Sequence, residues 1–298
     1  MNRTAPNAAP DTAPDTARIL VEALPYIRRF AGRTVVVKYG GNALAGSSDD
    51  DALALFAQDI VLMHTVGIKC VVVHGGGPQI NEMLARLGIQ SSFHQGLRVT
   101  DAATMEVVRM VLSGRVNPEL VAAINVHGNL AVGLSGQDGR TLQTVPIDEA
   151  LGFVGDVERV RPQLIEGLLA DGFIPVVSTI GADTEGRAHN VNADTAAGAI
   201  AEAVGAEKIV YLTDVAGLRR NADDPDSLVA RVTVGELADM LSDGTVSGGM
   251  IPKVESCMRA VRGGVRSAHI LDGRIPHVLL LELFTDSGVG TMITQGDR

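Results

Sequence analysis

The stretch that decides the fold is Val35-Val36-Val37-Lys38-Tyr39-Gly40-Gly41-Asn42, a β-branched run that ends in a lysine and a pair of glycines. A charged lysine on so apolar a strand is costly unless an anion meets it at the strand's carboxyl end, where α/β sheets bind their ligands. The glycines allow backbone N–H groups to approach that anion closely. The competing reading is an edge lysine whose stem lies along apolar surface before an ordinary turn, and this segment alone does not separate the two.

A second segment of the same design follows at Val71-Val72-Val73-His74-Gly75-Gly76-Gly77-Pro78. Three glycines between a strand and a helix with Pro78 at its first position leave bare backbone donors at the positive end of a helix dipole. His74 reads as a satisfied core or turn histidine and is assigned no role.

Outward from these two segments, β-branched runs alternate with helical patterns. A helix is predicted near Ala52 to Thr65, another from Pro78, and the alternation continues to Phe173-Ile174-Pro175-Val176-Val177. This predicts βαβ units and an α/β fold with a mainly parallel central sheet sandwiched between helices. The irregular stretch at 130–160, with LAVGLSG and TLQTVP, reads as a hairpin inserted into that scheme. Beyond a soft boundary near 180 come the strand KIVYLTD, helices from Thr233 to Leu241 and Pro252 to Val261, and SAHILDG. Ahead of the first strand, Ile19, Leu20, Leu24 and Ile27 recur at helical spacing through Pro25.

Three further segments carry polar chemistry. Gly96-Leu97-Arg98-Val99-Thr100-Asp101 sets an arginine before a helix, where its planar guanidinium can grip a carboxylate; alone, such an arginine is more often a surface residue. His189-Asn190-Val191-Asn192-Ala193-Asp194 crowds short polar side chains at the start of an Ala-rich helix. One of them serves as the cap, and the surplus suggests that Asn190 faces a ligand and Asp194 orients cations. Ser247-Gly248-Gly249-Met250-Ile251-Pro252-Lys253 turns into a helix with a lysine in its first turn, where a cation opposes the dipole and a phosphate partner would account for it. Two lysines, two glycine cradles and an aspartate are the inventory that phosphoryl transfer requires.

Familiar nucleotide fingerprints are absent. Gly41 to Gly46 has the spacing of a P-loop, but Ser47 stands in the place of its lysine, and Ile80 replaces the third glycine of a dinucleotide motif. A dehydrogenase is thereby the weaker alternative.

Composition narrows the class further. The 298 residues are 46% apolar with a mean hydropathy of +0.20, enough for an ample core. A net charge of −10, no tryptophan, three tyrosines and six phenylalanines argue against nucleic acid as the partner. Cys70 and Cys257 show no metal-ligand spacing and point to the cytosol. No apolar stretch reaches the roughly 18 residues that a membrane span needs. Residues 1–17, rich in Ala, Pro, Thr and Asp, read as a disordered tail without an apolar signal core.

In this order, VVVKYGGNA, VVVHGGGPQI, GLRVTD, NVNADTAA, YLTDVAGL and GGMIPKVE closely resemble the N-acetylglutamate kinases, from about residue 18 to the C-terminus. The resemblance implies direct attack by the γ-carboxylate of N-acetyl-L-glutamate on the γ-phosphoryl group of ATP, with Mg2+ carried on the nucleotide. It implies that Lys38 and Lys253 neutralise the transferring phosphoryl group and that Asp194 holds them. Gly75, Gly76, Gly77, Arg98 and Asn190 would bind the acyl amino acid; Gly40, Gly41, Thr213, Asp214, Gly249 and Lys253 would bind the nucleotide.

The same resemblance makes residues 31–180 the acyl-amino-acid half and 181–298 the nucleotide half. Residues 18–30 become an N-terminal oligomerisation helix like that of family members that form hexamers, as trimers of dimers, and are inhibited by L-arginine. For that inhibitor it points to His269, Glu282 and Gly288. Glu282 reads as a lone carboxylate in an apolar strand, paired either with a bound guanidinium or with an arginine between 259 and 274. The rivals are a kinase for a related amino-dicarboxylate, since a pocket's length is not read from sequence, and a non-catalytic arginine sensor. Retention of both lysines and Asp194 speaks against the sensor.

Overall fold

The computed structural model describes residues 13–40, 49–94, 96–221, 224–285 and 288–296. Helix α1 (Ala13–Phe30) leads into β1 (Thr34–Tyr39), α2 (Asp49–Thr65), β2 (Lys69–His74) and α3 (Gly77–Arg86). A small hairpin, β3 (Phe93–His94) and β4 (Leu97–Arg98), precedes α4 (Ala102–Val111), which passes through a π-helical turn, Leu112–Val116, into α5 (Asn117–Asn125). Then come β5 (Ala131–Ser135), β6 (Leu142–Pro146), β7 (Val154–Val160), α6 (Gln163–Ala170), β8 (Ile174–Ser178), β9 (Ile180–Ala182) and β10 (Ala188–Val191). The remainder is α7 (Ala193–Ala203), β11 (Lys208–Thr213), β12 (Arg231–Thr233), α8 (Val234–Ser242), α9 (Met250–Arg262), β13 (Ser267–Asp272), α10 (Val278–Phe284) and β14 (Thr291–Thr294).

Eight strands form one sheet in the order β12-β14-β13-β11-β1-β2-β8-β5. Every neighbouring pair in it is parallel except β13 with β14. The strand VVVKY lies at its centre, between β2 and β11, so the deciding stretch is buried on both faces. Period-two alternation sends Val35 and Val37 into one apolar layer and Val36 into the other. The first layer is completed by α2, α3, α4, α5 and α10, the second by α6, α7, α8 and α9.

Three readings change. LAVGLSG is not half of a hairpin: as β5 it forms the edge of the main sheet beside β8, while TLQTVP pairs antiparallel with β7. Strands β10, β7, β6 and β9 close into a small separate barrel. The segment around Glu282 is helix α10 and not a strand; Val278, Leu279 and Leu283 bury one helical face, and a short apolar run carries no period that separates the two states. Finally, α1 starts at Ala13, within the stretch read as a tail, and runs through Pro25.

Candidate active site

Lys38, penultimate in β1, shares the face of Val36, and so projects toward α7 and not toward α2. Helix α7 begins there. Asn192 is its N-cap, accepting from the N–H groups of Asp194 at 2.8 Å and Thr195 at 3.2 Å, which settles which of the crowded polar residues caps. Asp194, freed from capping, bridges two cations. Its Oδ1 lies 2.9 Å from Lys38 Nζ and its Oδ2 lies 2.9 Å from Lys253 Nζ. Lys253, in the first turn of α9, also stands 5.7 Å above the buried Tyr211 ring.

The electrostatics follow from burial. Desolvation would raise the Asp194 carboxyl, but the two ammonium groups outweigh it and hold it well below the usual carboxylate range. Lys38 is lowered, first by burial and then by Lys253, against the pull of Asp194. One carboxylate beside two lysines leaves the cluster with an excess positive charge, suited to a polyanion.

These lysines open on a cavity of about 600 Å³ at the carboxyl ends of the central strands, lined also by Gly40, Gly75, Gly76, Gly77, Thr213, Asp214 and Gly249. Helices α3 and α9 start at its wall with no side-chain cap, which leaves their first N–H groups and positive dipole ends open to an anion. Three of the glycines are there by close approach: a Cβ on Gly40 would lie 2.9 Å from Leu212 O and 3.0 Å from Lys38 Nζ, one on Gly75 would lie 3.2 Å from Ala193 Cβ, and one on Gly76 would lie 2.7 Å from Leu112 Cδ2. Gly41 lies outside the described residues. Beyond Asp214 a second cavity of about 360 Å³ continues past Gly217, Arg219 and Arg274.

Arg98 is buried at the rim. Its guanidinium donates to Ser91 Oγ and, at 3.3 Å, to Gly77 O, and lies 4.6 Å from the Phe93 ring. Asn190, on β10, donates from Nδ2 to Thr100 Oγ1 at 3.2 Å, near the same hairpin. His74 is fully buried with both ring nitrogens engaged.

His269, Glu282 and Gly288 lie apart from this cavity, toward the amino ends of β11 and β13. Glu282 is not alone: Oε1 lies 3.1 Å from Lys208 Nζ and 2.8 Å from His269 Nδ1, and Oε2 accepts from Val289 N–H at 3.1 Å. Its internal partner is thus Lys208, not an arginine between 259 and 274; Arg259, Arg266 and Arg274 pair with Asp156, Glu207 and Asp272. Tyr211 beside Lys253, Asn117 beside His74 and, at the separate Glu282 cluster, Lys208 are the neighbours that sequence reasoning missed. Only Lys208, a lysine opening an apolar strand, carried a signal comparable to that of Lys38.

The fold and the paired lysines define a phosphotransferase without a P-loop. A model of the amino acid kinase family matches residues 33–272, and the chain belongs to that family. It is 52% identical over 289 residues to the acetylglutamate kinase of Moorella thermoacetica, covering 93% of this chain and 97% of that one. It is 54% identical over 277 residues to that of Nostoc sp., covering 93% and 92%. It is an enzyme, a kinase with a carboxyl group as acceptor. Among solved structures, N-acetylglutamate synthase from Neisseria gonorrhoeae, complexed with coenzyme A and N-acetyl-glutamate, superposes with a TM-score of 0.82 at 28% identity, covering 95% of this chain. This chain spans 64% of the synthase's length. Carbamate kinase from Giardia lamblia shares the fold, with a TM-score of 0.68 at 19% identity over 89% of this chain.

Proposed function

We propose that this enzyme phosphorylates the γ-carboxylate of N-acetyl-L-glutamate with ATP, a step of arginine biosynthesis in the cytoplasm. What carries the reading is the sharing of Asp194 by Lys38 and Lys253, 2.9 Å from each, on a cavity lined by glycines. The relatives' name, acetylglutamate kinase, supplies the acceptor.

The chemistry asks little covalent work of the protein. A γ-carboxylate with an ordinary pKa of about 4.3 is ionised at neutral pH and needs no base. One of its oxygens forms a bond to the γ-phosphorus while the bond to the bridging oxygen breaks, giving an acyl phosphate and ADP. Lys38 and Lys253 offset charge on the transferring group, Asp194 keeps the ammonium groups apart and oriented, and the glycine loops donate N–H groups. Arg98 and Asn190 hold the acceptor's carboxylates; Thr213, Asp214 and Gly249 border the nucleotide.

Mg2+ would arrive carried on the phosphates of ATP, since Asp194, the carboxylate between the two lysines, is committed to their ammonium groups. When bound, the ion would neutralise phosphate charge. L-Arginine is proposed as feedback inhibitor, acting at Glu282, His269 and Gly288; the Neisseria synthase is also known in complex with L-arginine. A hexamer is proposed through α1, whose Ile19, Leu20 and Val21 are exposed.

The test is ADP release with Mg-ATP and N-acetyl-L-glutamate, repeated with L-glutamate and with added L-arginine. Turnover with the acetylated substrate alone, suppressed by arginine, is the expected result. Turnover with neither refutes the reading.

A further inference from the structure

His74 ends β2 on the face that meets α5, and it is completely buried between that helix and the Gly75–Gly77 loop. Its Nε2 lies 3.0 Å from Asn117 Nδ2, and its Nδ1 lies 2.9 Å from the carbonyl oxygen of Gly75. The amide of Asn117 is itself oriented, because Nδ2 donates to Val176 O at 2.8 Å, where an amide oxygen would be repelled. A donor from Asn117 obliges Nε2 to accept. The ring proton therefore sits on Nδ1 and is donated to Gly75 O.

A trans peptide holds its C=O and N–H antiparallel, and the chain has no cis bond among the described residues. With the Gly75 carbonyl turned down to the buried ring, the N–H of Gly76 points the opposite way, to the side on which these glycines line the cavity. The π-helical turn Leu112–Val116 supports the loop from behind. A Cβ on Gly76 would come within 2.7 Å of Leu112 Cδ2 and 3.2 Å of Val116 Cγ2, and the same turn delivers Asn117 to His74.

We propose that His74 and Asn117 are positioning residues that lock the Gly75–Gly76 peptide with its N–H aimed at the transferring phosphoryl group. The inference rests on the kinase reading above. A carbonyl-out flip of this one peptide would present an acceptor to an anion and withdraw a donor. Burial also pushes the His74 imidazole down to about 4, so the lock holds one protonation state through the physiological range.

The test pairs a spectrum with kinetics. In ¹⁵N-histidine-labelled protein, assigned by the signals missing from His74→Asn, His74 should carry its proton on Nδ1 and stay untitrated between roughly pH 5 and 8. An Nε2-protonated ring, or titration near its ordinary value, overturns the lock whatever the substrate. His74→Asn keeps a donor at the Nδ1 position, whereas His74→Gln keeps only an acceptor at the Nε2 position. On folded, gel-filtered protein, His74→Asn should keep kcat within about fivefold, and His74→Gln should lose about a hundredfold with KM for ATP nearly unchanged. Asn117→Ala, which frees the tautomer, should follow His74→Gln. Equal losses in the two His74 variants overturn the proposal. A wild type that never turns over N-acetyl-L-glutamate refutes the proposed function, and the tautomer still decides the lock.

Discussion

Lys253 Nζ and Asp194 Oδ2 stand 2.9 Å apart across the start of two helices, and the other oxygen of the same carboxylate is as close to Lys38. The two ammonium groups share this one carboxylate, and the charge of Lys253 acts on Lys38 against it. Lys38→Ala or Lys253→Ala is expected to lower kcat by at least about a hundredfold, the usual worth of a preorganised charge. Asp194→Asn should be as damaging and should also destabilise the fold, since it leaves two buried ammonium groups without a counter-charge. Steady-state kinetics and melting curves separate the two effects; unchanged turnover in a lysine variant removes that lysine from the mechanism.

Arg98 is proposed to bind the acceptor. Its fork reaches Ser91 Oγ and Gly77 O and its plane stacks on Phe93, a geometry that lysine does not reproduce. Arg98→Lys should raise KM for the acceptor by about tenfold or more, the scale of one charge-assisted hydrogen bond, with a smaller change in kcat. A KM left at the wild-type value would exclude Arg98 from acceptor binding.

Gly40 is tightly enclosed. A methyl group there meets a backbone oxygen at 2.9 Å and the Lys38 ammonium at 3.0 Å, and the backbone cannot yield easily. Gly40→Ala is expected to cut kcat by tenfold or more, on the order of a misplaced catalytic group, and to lower the melting temperature as well. Full activity would show that Lys38 has room to move.

Glu282 makes an acid-sensitive contribution. Burial alone would raise its carboxyl, but the hydrogen bond and charge of His269 and the charge of Lys208 hold it down at about 2. A folded value below the unfolded one of about 4.3 means stability that is complete above that pH and lost as pH falls toward 2. Urea midpoints measured from neutral pH downward should therefore fall less steeply through that window in Glu282→Gln than in the wild type. Parallel slopes would show that the ion pair contributes nothing pH-dependent.

Helix α1 presents Ile19, Leu20 and Val21 to solvent, at 58%, 63% and 69% exposure, which is unusual for three adjacent aliphatic residues unless another surface covers them. A chain lacking residues 1–30 should sediment as a smaller species than the intact protein. An unchanged sedimentation coefficient would remove α1 from the assembly.

Much of the fold was legible because its signals are local. Val35 to Val37 and Val71 to Val73 read as strands from β-branched runs, and Thr233 as a boundary: it caps α8 through a capping box with Glu236. The glycine cradles at Gly40 and Gly75–Gly77 were visible as breaks after β-branched runs, and at Gly40, Gly75 and Gly76 neighbouring atoms leave no room for a side chain. The state of the segment around Glu282 was not legible, because seven residues carry too little periodicity and its packing against α1 and α2 decides it. Nor was the place of β5, whose pairing with β8 depends on which strand edge is free.

For the site, sequence alone determined the inventory: which cations, carboxylate and glycine turns exist, and that strand alternation turns Lys38 to one face. Only the tertiary structure decided who meets whom. Asp194 on two lysines, Lys208 on Glu282 and Asn117 on His74 join residues 59, 74 and 43 positions apart or more, and no local rule spans such distances. Those partnerships arise where parallel strands align their carboxyl or amino ends and the covering helices begin, a coincidence in space that periodicity within one segment does not encode.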